Sequence, residues 1–345
     1  MTADLGATRP GRPQLPRPRG CLSDMVIEWL RAGEGPLPAQ EEVQRAGPYG
    51  EDFQLALYVL YELHYQGFDG VPDDREWEPA LLSVRPHLEE AFLRALRADV
   101  PALDAREAMA RLLTEPTTDD GTSVSHYLKR EGRLWQLREY AALRSLYHLK
   151  EADPHAWVLP RLRGRAKAGM AAIEFDEFGA GRAEDVHAQL FADLMADLSL
   201  QTAYGYYLDL ASAEILATVN LMSLLGLHRS LRGALIGHFA TVEVTSPPGA
   251  RRLAEAMRRT GAGPAAERFY DEHVEADAVH EQVVRREVID GLLSDEPNLE
   301  PDVAFGIGAT EFLEGRLAGS LLAAWREERS ALPTPLPLAC ACKPT

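Results

Sequence analysis

Apolar residues along the chain recur at helical spacing almost throughout, and no run of strictly alternating apolar and polar positions announces a strand. Residues 51–66 place Phe53, Leu57, Leu60 and Leu63 or His64 on one stripe, which stops at Gly67 and Gly70. Amphipathic stretches follow at 77–99, with Pro86 inside, and at 102–114. A long segment over 124–152 comes after the polar turn 117–121. Asp153-Pro154 ends it, because the residue before proline is pushed out of the helical region. The second half predicts helices over 160–177, halted by Phe178-Gly179-Ala180-Gly181, and then over 182–198 and 203–227. Further helices are expected over 229–245, closed by Ser246-Pro247-Pro248-Gly249, and over 250–260, 265–293 and 302–329. The pattern is that of an all-α protein of roughly nine to eleven helices without a solenoid repeat.

Composition divides the chain into three parts. Residues 1–20 are rich in Arg, Pro and Gly and are expected to form a disordered arm; 21–330 form one helical domain; 331–345 form a loose Pro-rich tail. With 53 Asp and Glu against 36 Lys and Arg, the formal net charge is −17. That excess disfavours nucleic acid and anionic membrane surfaces as partners. Cys21, Cys340 and Cys342 form no disulfide framework, and no apolar leader begins the chain, so a reduced, cytoplasmic protein is expected. The most apolar stretch, 208–227, is interrupted by Asp209, Glu214 and Asn220 and reads as a buried helix rather than a membrane span.

The chemistry concentrates in a few positions. His273, Asp277 and His280 stand at i, i+4 and i+7 and share one helix face. Two imidazoles and a carboxylate suit a first-row transition metal, and the row is too long to converge on a single ion. Glu243 lies between Val242 and Val244 on an apolar helix end, a poor setting for a surface acid. Glu177 and His187 would be about 15 Å apart on an unbroken helix. The glycine break at 179–181 allows them to meet. Glu151 closes the set at the end of a long segment. Carboxylates and histidines from several facing helices are how bundles hold two irons. Glu62 and His64 read as a structural pair, His238 as a core histidine, and Glu214 and Asn220 as candidate substrate-pocket residues.

In that order, Glu151, Glu177, His187, Glu243, His273, Asp277 and His280 resemble the ligand set of the heme-oxygenase-like diiron oxidases. Lys150-Glu151-Ala152-Asp153-Pro154-His155, Asp176-Glu177-Phe178-Gly179-Ala180-Gly181 and Ala217-Thr218-Val219-Asn220-Leu221-Met222 carry the likeness further, over roughly residues 50–330. The resemblance implies an all-α, heme-oxygenase-like helical bundle with additional N-terminal helices. It implies non-heme iron, two Fe(II) per chain, held by those seven residues within 151–280, with O2 as co-substrate. Glu177 would be the additional carboxylate of members that oxygenate amine nitrogen. N-oxygenation of an amine or amino-acid-derived small molecule is therefore the expected activity. Desaturation, oxidative cleavage and plain iron binding are the alternatives. A homodimer and an external electron donor are compatible with this reading.

Overall fold

In the computed structural model, residues 11–114 and 120–337 are described, without the side chains of 275–278. Among them there is no strand. The helices are α1 (Cys21–Ala32), α2 (Gln40–Arg45), α3 (Glu51–Glu62), α4 (Pro79–Asp99), α5 (Ala105–Leu112), α6 (Val124–Arg130), α7 (Leu134–His148) and α8 (Asp153–Ala156). They continue with α9 (Gly164–Glu177), α10 (His187–Asp197), α11 (Ala213–Leu227), α12 (Arg232–Thr260), α13 (Pro264–Val283), α14 (Asp290–Asp295) and α15 (Glu300–Arg326). The fold is all-α, as the periodicity requires, and no helix is long and apolar enough to cross a membrane among the described residues.

The long helix α12 organises the bundle, with α6, α13 and α15 packed along it. A connection of three residues, Gly261-Ala262-Gly263, returns α13 along α12 as its antiparallel neighbour. The start of α13 is fixed by the Asp197 carboxylate at the end of α10, which accepts from the backbone N–H groups of Ala265 and Ala266 at 2.6 and 3.2 Å. At the crossing of α12 and α15 the backbones touch through glycine. A Cβ at Gly237 would lie 2.0 Å from the Val303 carbonyl oxygen, and one at Gly306 would lie 1.9 Å from that of Ala234. This close approach seats Thr310 and Glu314 of α15 against the face of α12 that carries His238.

Several expectations from the sequence need correction. The segment 124–152 is two helices, since the chain breaks at Glu131-Gly132-Arg133. The break is stabilised from outside: the Arg259 guanidinium donates to the carbonyls of Leu128, Lys129 and Gly132. Conversely, Ser246-Pro247-Pro248-Gly249 does not close a helix; α12 runs through it. Two prolines remove the N–H donors that would reach the carbonyls of Glu243 and Val244. The helix persists because buried residues on both sides of the pair, from Phe239 and Ala240 to Leu253 and Met257, are already anchored in the core. The expected helix over 265–293 contains a π-helical turn at Val284–Ile289, one turn beyond His280.

Parts of the terminal segments also differ from expectation, while residues 1–10 and 338–345, with Cys340 and Cys342, lie outside the described residues. Residues 11–20 are docked rather than loose. Pro13 and Pro16 are buried, and the Pro13 carbonyl accepts from the Asp69 N–H at 2.8 Å. Arg17 pairs with Asp209 at 3.0 Å, and Arg19 donates to the carbonyls of Leu208 and Ala211 and pairs with Glu51. The arginines that suggested an unfolded arm are its anchors. At the other end, Leu332 is buried and Arg138 holds the Pro337 carbonyl at 2.7 Å.

The glycine crossing has a measurable consequence. Gly306→Ala or Gly237→Ala forces a methyl into backbone, so thermal unfolding should show a loss of at least about 1–3 kcal/mol. Gly319→Ala, on the same α15 with nothing within 4 Å of the new methyl, should be neutral or stabilise by up to about 1 kcal/mol.

Candidate metal centre

Glu151 lies in the turn after α7. Its neighbour Ala152 adopts the left-handed conformation, φ 63°, before α8 begins. That conformation costs an alanine roughly 1–2 kcal/mol, and it turns Glu151 back into the bundle, where the residue is only 6% exposed. Glu177 is the last residue of α9. The chain then reverses at Gly179, φ 70°, where a Cβ would lie 2.6 Å from the Val186 backbone nitrogen. Only glycine accepts both the dihedral and the contact. The reversal delivers His187, the first residue of α10, with its Nδ1 2.7 Å from Glu177 Oε2. Glu243 and His280 lie about equally far from the α12–α13 turn, so antiparallel packing sets them side by side, His280 Nδ1 to Glu243 Oε2 at 3.2 Å.

Six of the seven expected ligands therefore meet, in two groups. Glu151, His187 and His273 form one; Glu177, Glu243 and His280 form the other, and within each group donor atoms lie within 4.8 Å of one another. The split of His273 from His280 is what a seven-residue separation along α13 demands, about 10 Å of rise. Glu177 joins the groups. Its Oε2 faces His187, and its Oε1 stands 3.5 Å from His280 Nδ1. His273 Nδ1 is 2.7 Å from the Phe269 carbonyl, to which it donates. The lone pair is thereby assigned to Nε2, which lies 3.9 Å from Glu151 Oε1. All six residues are buried.

Asp277 belongs to α13, but its side chain lies outside the described residues. Glu214 and Asn220 are not part of the site. Asn220 is wholly buried and its amide donates to the Gln54 backbone carbonyl and side-chain oxygen, at 2.9 and 2.7 Å. Glu214 stands in the first turn of α11, and neither residue lines the cavity described below. Tertiary contact with α3 uses the amide that the sequence left open for substrate. Glu62 is structural: the Lys150 ammonium holds it at 2.8 Å with both groups buried, and the Tyr204 hydroxyl donates to it at 2.7 Å. His64 faces Glu76 at 3.1 Å.

Three residues near the groups had been given no role from the sequence. His148 Nδ1 lies 2.9 Å from Glu151 Oε2, three residues along the chain. Burial would push the Glu151 carboxyl up, but the imidazoles of His148 and His273 outweigh it and hold it well below the usual range. Asp176 reaches His280 Nε2 at 3.2 Å, an outer carboxylate that orients the ring. Glu174, one turn before Glu177, is 2% exposed, and neither carboxylate oxygen finds a hydrogen-bond partner among the described residues. Burial, then the charges of Glu177 and Glu243, push its carboxyl up to about 9, so it holds a proton at neutral pH. Its spacing from Glu177 on one helix face was the signal available in the sequence.

The groups open on a cavity of about 490 Å³ whose lining includes Glu151, Glu177, Glu243 and His273. The sequence pattern of the iron-containing redox enzymes matches residues 138–315, from α7 into α15. The chain belongs to this family. It is an iron oxidoreductase, and helices α1–α6 precede the matched region. No curated protein matches the sequence. The donor set fits iron: three buried carboxylates and three imidazoles, with no cysteine among them, favour a redox-active ion over structural zinc. The orphaned Glu174 oxygens mark the same place as one where the protein alone leaves polar atoms unsatisfied.

A titration of stability follows from Glu174. Its folded carboxyl is raised to about 9, so the folded chain binds a proton that the unfolded chain releases above the ordinary carboxylate range. Stability from this group is complete below about pH 4.5 and is lost as pH rises toward 9. For the metal-free protein, the unfolding temperature of Glu174→Gln should fall less between pH 5 and 9 than that of the parent. Parallel curves would contradict the assignment.

Proposed function

We propose that the two groups hold two Fe(II) ions per chain and that the enzyme uses O2 to oxygenate the nitrogen of an amine or amino-acid-derived substrate. The observation that carries this reading is Glu177, a single buried carboxylate directed at both groups and exposed to the cavity. Glu151, His187 and His273 would hold one ion, Glu243 and His280 the other, with Glu177 between them. Asp277, on the same helix face as His273 and His280, completes the proposed set. Bound there, two ferrous ions would supply electrons to O2. The four carboxylates offset the four positive charges of the ions, so the filled centre is close to neutral in a low-dielectric core.

The rest of the work falls to side chains. His148 and Asp176 fix the orientation of Glu151 and His280, so that these donors keep the directions that bound ions would require. Tyr147, Phe239 and Phe269 give the cavity an apolar wall beside the donors.

The test is direct. Anaerobic loading should give near two Fe(II) per chain, and O2 uptake should be stimulated by some member of a panel of free amino acids and simple amines. The product should gain oxygen on nitrogen, and a product that has only lost two hydrogens would indicate desaturation instead. His273→Ala should remove one iron and abolish stimulated O2 uptake. Retention of both irons and full uptake in that variant would exclude the ligand assignment. The exposed Glu272→Ala should behave as the parent does.

A further inference from the structure

Two histidines that play no part in the donor groups lie side by side in the cavity wall. His155 of α8 and His238 of α12 are 1% and 0% exposed, and both line the cavity together with Thr310. Their Nε2 atoms are 3.1 Å apart, so one proton must lie between them. Which ring carries it is decided further along. His238 Nδ1 is 2.8 Å from Thr310 Oγ1, and that oxygen is 2.7 Å from the Gly306 carbonyl oxygen. Two oxygens that close repel unless they share the hydroxyl hydrogen, so Thr310 donates to Gly306. Thr310 must then accept from His238 Nδ1–H. His238 Nε2 is left with its lone pair and accepts from His155 Nε2–H. The chain of bonds ends at His155 Nδ1, an acceptor with no protein partner among the described residues.

We infer that His155 Nδ1 is a substrate-binding acceptor in the cavity, fixed in one tautomer by His238, Thr310 and the Gly306 carbonyl, and that it takes an N–H of an amine ligand. Burial and the neighbouring imidazole hold His155 well below the usual histidine range, and burial takes His238 down to about 4. The acceptor therefore stays unprotonated across neutral pH. Only a ligand that brings a hydrogen can satisfy it, and an aprotic or purely anionic ligand leaves it bare. The choice of amine over another donor rests on the N-oxygenation reading. The tautomer does not.

The full-length metal-free protein, labelled with 15N in histidine, provides the test, with peaks assigned from His155→Asn and His238→Asn. The expected spectrum shows His155 protonated on Nε2 and His238 on Nδ1 throughout pH 6–8. The reverse pair of tautomers overturns the inference. Methylammonium, as the probe amine, should shift His155 Nδ1 and leave His64 unmoved, and an unmoved His155 Nδ1 also overturns it. In turnover of an amine from the panel, His155→Phe should raise KM roughly tenfold for the lost bond. His155→Asn, which keeps an oxygen acceptor near the Nδ1 position, should recover part of it. A protein that oxygenates an amine without these shifts refutes the role of His155 alone. One that shows the tautomers and the shift but takes up no O2 refutes the proposed function alone.

Discussion

Everything in the centre of this protein is arranged around the cost of placing several carboxylates together in a helical core. Glu151, Glu174, Glu177 and Glu243 are all nearly inaccessible to water. In such surroundings the groups cannot all be ionised unless cations or hydrogen-bond donors face them. The structure resolves the conflict locally. His148 and His273 stabilise the charge on Glu151, histidines from α10 and α13 face Glu177, and Glu174 keeps its proton. The family to which the chain belongs gives the remaining answer, which is iron.

That constraint explains features that would otherwise look like defects. A left-handed alanine after Glu151, a glycine-dependent reversal after Glu177 and a π-helical turn one turn beyond His280 each interrupt regular backbone near a donor. A regular helix projects its side chains at fixed spacings, and those spacings do not converge on two compact groups of donors. Local irregularity re-aims single donors while the helices on either side keep their packing. The glycine contact between α12 and α15 supplies the rigid frame that tolerates these departures.

Much of this was legible from residue order, and the reasons for the misses are specific. Glu243 among valines and the His273–His280 row were recognisable because both follow from helix periodicity. Glu174 was passed over because a carboxylate one turn from another reads the same in sequence whether the pair faces water or the core. Asn220 was misread because its partner, Gln54, lies 166 positions away. The Pro247-Pro248 pair carried a strong local stop signal, and the packing of the flanking helix overrode it. The arginine-rich segment at 11–20 was assigned to disorder by composition, yet its charges meet Asp209 and Glu51 on the folded surface.

By itself the sequence determined the all-α class and pointed to the carboxylates and histidines that meet in the core, because periodicity and residue type are local properties. Only the tertiary structure decided which donors share a group, that Glu177 stands between the groups, and that the histidines His155 and His238 define an acceptor in the cavity wall. Those are distances between residues far apart in the chain. They are set by how α7, α9, α12, α13 and α15 pack against one another, and no spacing along a single helix encodes that.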